Sequence, residues 1–148
     1  MTRIVVVDDY AAWRDYACLA LEKEPQFQIV AAVPDGLEAV RKARDLQPNL
    51  IIMDVGLPNL NGIEAARRIL QLAPQTKVLF LSDHTSPDIV QEALNTGANG
   101  YVLKSRAESE LLAAAKAVLT GQTFISQFLA DRLASTRTSL FQDLNLQR

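Results

Sequence analysis

Several features that would assign this chain to a specialised class are scarce or absent from its sequence. The single cysteine, Cys18, cannot form a disulfide within the chain, and it lies in an apolar stretch typical of a buried side chain. No apolar run approaches the roughly 20 residues that a membrane-spanning helix needs, and the N-terminus has no signal-peptide pattern. We therefore expect a soluble protein of a reducing, cytoplasmic compartment with no membrane partner.

An excess of charge of one sign is also lacking. The sequence has 15 Lys and Arg against 17 Asp and Glu, which gives a net charge of −2. This balance offers no general attraction for nucleic acid, so we expect no nucleic-acid binding by this chain itself. Hydrophobic residues make up 49% of the 148 residues, which is enough for one domain with a core.

What the sequence does contain is a fivefold alternation of short apolar runs with helical patterns. The runs are rich in β-branched residues, which is typical of strands buried on both faces of a parallel sheet. We predict strands at residues 3–7, 28–33, 49–54, 77–82 and 100–103. Helical crossovers between parallel strands predict a three-layer, doubly wound α/β fold with a five-stranded parallel sheet.

Charged side chains follow three of these runs. Asp8 and Asp9 come directly after the first strand, Asp54 closes the third, and Lys104 follows the fifth. The carboxyl ends of parallel strands meet at one edge of the sheet, so we expect these groups to converge there. A site at the ends of strands one and three fits the flavodoxin-like strand order 2-1-3-4-5.

The expected cluster has the chemistry of a divalent cation and a phosphoryl group. Carboxylates gathered at one point repel one another, and a hard cation such as Mg²⁺ resolves that repulsion through oxygen ligands. Lys104 adds a compact positive charge suited to a phosphoryl oxygen, and Ser82 adds a hydroxyl at the same edge. An aspartate can also accept a phosphoryl group as an aspartyl phosphate.

The sequence also predicts where helices begin and how the chain continues after the fifth one. Ser105 and Glu108 form the pattern of a capping box for the fifth helix, and Gly121 is placed to end it. Phe124 to Leu133 has the apolar spacing of one more short helix. Residues 135–139 read as a linker, and residues 140–146 as a short amphipathic stretch.

Four stretches of this sequence together resemble the receiver domain of two-component response regulators. The resemblance covers about Thr2 to Gly121. The matching pieces are Val-Asp-Asp at 7–9, Met-Asp-x-x-Leu-Pro-x-x-x-Gly at 53–62, Leu-Ser at 81–82 and Gly-Ala-x-Gly-Tyr-Val-Leu-Lys at 97–104. Leu-Ser-x-His at 81–84, Ser105 and Gly-Gln-x-Phe-Ile-Ser at 121–126 are similar to receivers of the NarL/LuxR-type helix-turn-helix subfamily.

The resemblance implies a role for each residue of the cluster. It makes Asp54 the phosphoacceptor, Asp8 and Asp9 metal-site carboxylates and the Gly56 backbone carbonyl a further ligand of Mg²⁺ or Mn²⁺. It makes Lys104 the phosphate-contacting lysine, and Ser82 and Tyr101 the pair that responds to phosphorylation. The implied partner is a sensor histidine kinase, and the chain would catalyse only its own phosphorylation and dephosphorylation.

The same subfamily implies a DNA-binding output and a possible homodimer through helices one and five. We predict a receiver domain at residues 1–126 and a helix or linker remnant at residues 127–148. The 22 residues after Ser126 are too few for an independent domain, which rarely folds below about 40 residues. The sequence leaves open a stand-alone receiver and a shortened chain; DNA contact is expected only through a helix-turn-helix domain that is missing here.

Two other functional classes compete with this interpretation: an adaptor, and an enzyme or flavin carrier on a similar fold. A receiver-fold adaptor that works without phosphorylation is mildly favoured by Asp83, which puts a carboxylate where a small residue is usual. A flavin carrier would need a hydroxyl-rich and glycine-rich loop after strand one, but that loop is Asp-Asp-Tyr-Ala-Ala. A haloacid-type hydrolase would need an aspartate two residues after Asp54, where the chain has Gly56.

Overall fold

The computed structural model describes residues 1–135 of the chain and has an alternating α/β architecture. The strands are β1 Thr2–Val7, β2 Phe27–Val33, β3 Leu50–Met53, β4 Lys77–Ser82, β5 Gly100–Leu103 and β6 Phe124–Ile125. The helices are α1 Ala11–Glu22, α2 Gly36–Leu46, α3 Gly62–Leu72, α4 Pro87–Asn95 and α5 Ala107–Leu119, with a 3₁₀ turn at Lys104–Arg106. Residues 127–135 are also helical.

The strands form one parallel sheet in the order β2-β1-β3-β4-β5-β6. The predicted order of the first five strands is confirmed. The prediction of a five-stranded sheet is wrong, because β6 adds a sixth strand outside β5. Two residues are too few to show an alternating pattern, so the sequence did not indicate this strand.

Two hydrophobic layers cover the two faces of the sheet. Strand residues alternate between the faces, so Val5 and Val7 join the layer under α2, α3 and α4, whereas Ile4 and Val6 join the layer under α1 and α5. Apart from Thr2 and Arg3 at the start of β1, the residues of β1, β3 and β5 are apolar and buried, because both faces of these strands are covered. This packing fixes the strand ends from which the charged residues extend.

Short polar side chains begin two of the crossover helices. The Asp35 carboxylate accepts a hydrogen bond from the Glu38 N–H at 2.8 Å, and the Asn61 side chain does the same for the Glu64 N–H at 3.0 Å. The predicted capping box of α5 is wrong. Ser105 lies inside the 3₁₀ turn and α5 begins at Ala107 without a side-chain cap, because β5 leads directly into that turn.

The segment after α5 returns to the sheet before it becomes helical. Phe124 and Ile125 form β6, so the prediction that they belong to a helix is wrong, whereas the helix over residues 127–135 agrees with the prediction. Ser126 is fully buried, and its Oγ accepts a hydrogen bond from the Leu103 N–H at 3.0 Å. The linker predicted at residues 135–139 begins with Ser135, which is helical in the structure. The rest of that linker and the amphipathic stretch predicted at residues 140–146 lie outside the described residues.

Among the described residues, no helix has both the length and the apolar character to cross a bilayer.

Candidate functional site

Three carboxylates converge at the carboxyl edge of the sheet, as predicted. Asp8, Asp9 and Asp54 offer oxygens that all lie within 4.8 Å of one another. Asp8 and Asp54 are buried and Asp9 is exposed, so the cluster opens to solvent on the Asp9 side. The parallel register that pairs Val7 with Met53 places the residues after both strands side by side.

Lys104 enters this cluster from the end of β5. Its Nζ lies 2.8 Å from Asp8 Oδ2 and 2.9 Å from Asp54 Oδ2, and its side chain is only 2% exposed. Burial alone would lower the pKa of Lys104, but the hydrogen bonds to Asp8 and Asp54 outweigh burial and raise it above its usual value. The lysine therefore stays charged and neutralises one of the three carboxylates.

Backbone groups hold both buried carboxylates in place. Asp8 Oδ1 accepts a hydrogen bond from the Tyr10 N–H at 2.9 Å, and Asp54 Oδ1 accepts one from the Val55 N–H at 2.7 Å. Burial raises the pKa of Asp8, and the bonds from Lys104 and the Tyr10 N–H offset part of that rise. Each carboxylate thus uses one oxygen for the backbone and the other for Lys104.

Ser82 and Tyr101 are connected through the backbone of His84. The buried Ser82 Oγ accepts a hydrogen bond from the His84 N–H at 3.2 Å, and the Tyr101 hydroxyl donates to the His84 carbonyl at 2.9 Å. Two hydrogen bonds to the backbone of one loop residue therefore link Ser82 to Tyr101 across the loop between β4 and α4. Asp83 lies in the same loop and is exposed.

Some of the predicted site residues form the charged cluster, and the others lie in the loop and strands beside it. Asp8, Asp9, Asp54 and Lys104 form the cluster itself. Gly56 lies in the exposed loop after Asp54, where the closest atom to a side chain added at that position would be His84 Nε2 at 3.5 Å. Ser82 and Tyr101 belong to the neighbouring β4 and β5.

Sequence reasoning missed one neighbour of the cluster. The sequence assigned Trp13 no place in the cluster, but Lys104 Nζ lies over its ring at 5.0 Å from the ring centroid. Its place in the first turn of α1, shortly after Asp8 and Asp9, brings the residue near the cluster, but the contact with Lys104 also depends on how α1 packs against the sheet.

The chemistry of the donor set fits a divalent cation. Three carboxylates and one ammonium leave two negative charges uncompensated in a space under 5 Å across. All of the available ligands are hard oxygens, the kind that Mg²⁺ and Mn²⁺ prefer.

This arrangement defines a class of protein: a doubly wound α/β domain with an acidic site at the carboxyl edge of its sheet. The chain belongs to the response regulator receiver domain family, because the sequence model of that family matches residues 4–116. The sequence-based recognition of this family is confirmed.

Individual relatives agree with this assignment. The chain is 39% identical over 123 residues to the transcriptional regulatory protein DegU of Brevibacillus brevis, covering 83% of this chain and 52% of DegU. It is 34% identical to the response regulator GacA of Pseudomonas viridiflava, covering 90% of this chain and 63% of GacA. The chain thus spans between about half and two thirds of these relatives' length.

A solved structure supports the same fold and subfamily. The crystal structure of a LuxR-family two-component response regulator from Aurantimonas sp. SI85-9A1 superposes with a TM-score of 0.88. The two sequences are 34% identical, and the match covers 93% of this chain and 99% of the other.

Because Tyr101 is buried, we expect the free energy of unfolding to depend on pH in the alkaline range. Burial raises the pKa of Tyr101 to about 12 from 10.0, a hydrogen bond with Ser82 lowers it in part, and the charges of Asp54 and Asp83 add to the rise. The folded protein keeps this proton to higher pH than the unfolded chain, so stability should fall as pH rises from 10 towards 12.

Urea unfolding at pH 9 and pH 11 tests this expectation. Tyr101→Phe should cost about 1 kcal/mol at pH 9, because the bond to His84 is lost, and should reduce the further loss on going to pH 11. An unchanged pH dependence in Tyr101→Phe would show that another group causes it.

Proposed function

We propose that this chain is the phosphoacceptor of a two-component system, with Asp54 receiving a phosphoryl group from the phosphohistidine of a sensor kinase. The observation that carries the proposal is the Lys104 ammonium held between Asp54 and Asp8 inside a three-carboxylate cluster. A structural ion pair would need only one carboxylate. The excess of acidic oxygens supports a site that binds a cation and handles a phosphoryl group.

In the proposed reaction, an Asp54 carboxylate oxygen attacks phosphorus. The P–N bond of the phosphohistidine breaks, its electron pair returns to the imidazole nitrogen, and the product is an aspartyl phosphate. Lys104 moves its hydrogen bond from Asp54 Oδ2 to a phosphoryl oxygen, where its charge offsets the charge of the transferring group. The Val55 N–H keeps the other carboxylate oxygen in place.

Asp8, Asp9 and Asp54 would hold Mg²⁺ or Mn²⁺, together with the Gly56 carbonyl that the family resemblance assigns. A bound Mg²⁺ would offset the negative charge that builds up when a phosphoryl group approaches three carboxylates. Beyond this self-phosphorylation and its reversal by hydrolysis, we propose no enzymatic activity for the chain.

The signal would leave the site through Ser82 and Tyr101. If Ser82 turns towards a phosphoryl oxygen, its Oγ gives up the hydrogen bond from the His84 N–H. The loop then shifts and weakens the bond from Tyr101 to the His84 carbonyl, which changes the surface of α4, β5 and α5. The phosphorylation-independent adaptor has less support, because such an adaptor does not require the cluster of Asp8, Asp9, Asp54 and Lys104.

The proposed kinase donor implies a cytoplasmic location. A homodimer through α1 and α5 is supported by an open groove of about 240 Å³ between these helices, lined on the α1 side by the exposed Tyr16 and Leu19. Where this receiver is joined to a helix-turn-helix domain, we propose control of transcription as the output, since the similar DegU is a transcriptional regulatory protein.

Intact-mass measurement after incubation with acetyl phosphate tests the central proposal. With Mg²⁺ we expect one phosphoryl adduct per chain, and with a chelator in place of Mg²⁺ we expect none. If no adduct forms with acetyl phosphate or with a phosphorylated histidine kinase, the phosphoacceptor proposal is wrong and the adaptor is favoured.

Removing the lysine charge should strengthen cation binding. In Lys104→Met the ammonium that lies against two of the proposed ligands is gone, so Mn²⁺ affinity at pH 8 should rise roughly tenfold. Calorimetry or Mn²⁺ electron paramagnetic resonance measures this change. The matched control is Lys116→Met, which removes a surface lysine paired with Glu24 at 3.2 Å and should leave the affinity unchanged. Weaker binding in Lys104→Met would contradict the proposed ligand set.

A further inference from the structure

Trp13 contacts the one charged group that must exchange partners during the proposed reaction. The Lys104 ammonium has three N–H donors, and two of its neighbours are the Asp8 and Asp54 oxygens. The indole ring of Trp13, with its centroid 5.0 Å away, is a further neighbour. With a lysine side chain only 2% exposed, the ring lies against an ammonium with almost no water around it.

The position of Trp13 is set by the residues around it. Trp13 lies in the first turn of α1, and the Arg14 guanidinium fixes that turn to the loop by donating to the Asp8 carbonyl at 2.8 Å. The Tyr16 ring meets the indole edge to face, with centroids 5.4 Å apart and planes at 77°. Contacts made by α1 residues therefore hold the indole beside the Lys104 ammonium.

We infer that Trp13 is a positioning residue that holds the Lys104 ammonium at the phosphoryl site through a cation–π interaction. This inference rests on the proposed phosphoacceptor function. The face of an aromatic ring attracts a cation without demanding one hydrogen-bond direction. The ring can thus keep the ammonium in place while the hydrogen bond of the ammonium passes from Asp54 to a phosphoryl oxygen. A carboxylate in the place of Trp13 would instead compete with the phosphoryl oxygen for the ammonium.

The alternative is that Trp13 only fills space, since it also packs against the hydrophobic layer under α1 and α5. The two roles differ in what they require. Packing depends on the volume of the side chain, whereas a cation–π interaction depends on the electron density of the ring face. A series that varies the electron density at nearly constant volume separates them.

The sequence makes such a series available, because Trp13 is the only tryptophan of the chain. Biosynthetic incorporation of mono-, di- and trifluorotryptophan replaces this residue alone and weakens the negative ring face stepwise. We expect the rate of adduct formation from acetyl phosphate and Mg²⁺ to fall with each fluorine, by about tenfold over the series. Trp13→Phe should retain part of the rate and Trp13→Leu less. A rate that does not depend on fluorine number would overturn the inference.

A second measurement needs no phosphodonor and so separates this inference from the proposed function. In protein labelled with ¹³C at lysine Cε, the Lys104 methylene is identified by its loss in Lys104→Met. Ring current should shift its proton resonance upfield in the native protein, and Trp13→Leu should abolish that shift. A normal Lys104 resonance in the native protein would overturn the inference. Failure of phosphorylation in unmodified protein with the shift present would instead count against the proposed function, leaving the cation–π contact intact.

Discussion

Asp54→Asn should abolish formation of the phosphoryl adduct by acetyl phosphate and Mg²⁺. The amide has nearly the same shape as the carboxylate, so the bond from the Val55 N–H can persist. What is lost is the nucleophilic oxygen, since a neutral amide does not form a stable acyl phosphate under these conditions. The expected result in intact-mass spectra is a native chain with one adduct and a variant with none.

The control for this experiment removes a neighbouring negative charge without touching the nucleophile. Asp83→Asn neutralises an exposed carboxylate in the loop after β4 and should retain the adduct. Faster labelling in this variant would indicate that Asp83 repels the anionic donor. An adduct that persists in Asp54→Asn would mean that another side chain accepts the phosphoryl group.

Gly62→Ala should destabilise the fold by about 3 kcal/mol or more, which corresponds to a fall in Tm of roughly 10 °C. An added Cβ would lie 2.0 Å from the Asp54 carbonyl oxygen and 3.0 Å from the Val55 Cα. Both neighbours are backbone atoms, so no flexible side chain can move aside. Alanine is the better helix former by at most about 1 kcal/mol, which is too little to offset this clash at the first residue of α3.

Gly56→Ala is the matched control, because it makes the same chemical change in the loop that leads to α3. The nearest atom to its added Cβ would be His84 Nε2 at 3.5 Å, an ordinary contact. Its stability should therefore change by no more than about 0.5 kcal/mol. Thermal and urea unfolding of both variants measure the difference. Equal stability of the two variants would show that the start of α3 can shift away from Asp54 at little cost.

The sequence was sufficient to predict the parts of the fold that follow from burial on both faces. Continuous apolar runs make up residues 4–7 of β1 and the whole of β3 and β5, and the common direction of these strands already places Asp8, Asp54 and Lys104 at one edge. The doubly wound order of the first five strands followed from the same reasoning. These predictions succeeded because they depend on periodicity and on the rules of parallel sheets.

The features that were missed depend on long-range contacts. Trp13 and Lys104 are far apart in sequence, and their meeting depends on how α1 is rotated against the sheet. β6 exists because it pairs with β5, and Ser126 is buried where it bonds to the Leu103 N–H. Both features depend on contacts with a distant part of the sequence, so the periodicity of the local sequence does not predict them. The beginning of α5 was misplaced because Ser105 satisfies a capping pattern that the preceding 3₁₀ turn overrides.

The short strand β6 has a consequence for solubility. β5 is buried along its whole length, and its outer backbone groups bond to the segment at residues 124–126. A version of the chain shortened to end with α5 would leave Gly100–Leu103 as an open, apolar edge of a parallel sheet. Such edges pair with one another and promote self-association. By covering the outer edge of β5, residues 124–126 thus prevent the strand that leads to Lys104 from pairing with another chain.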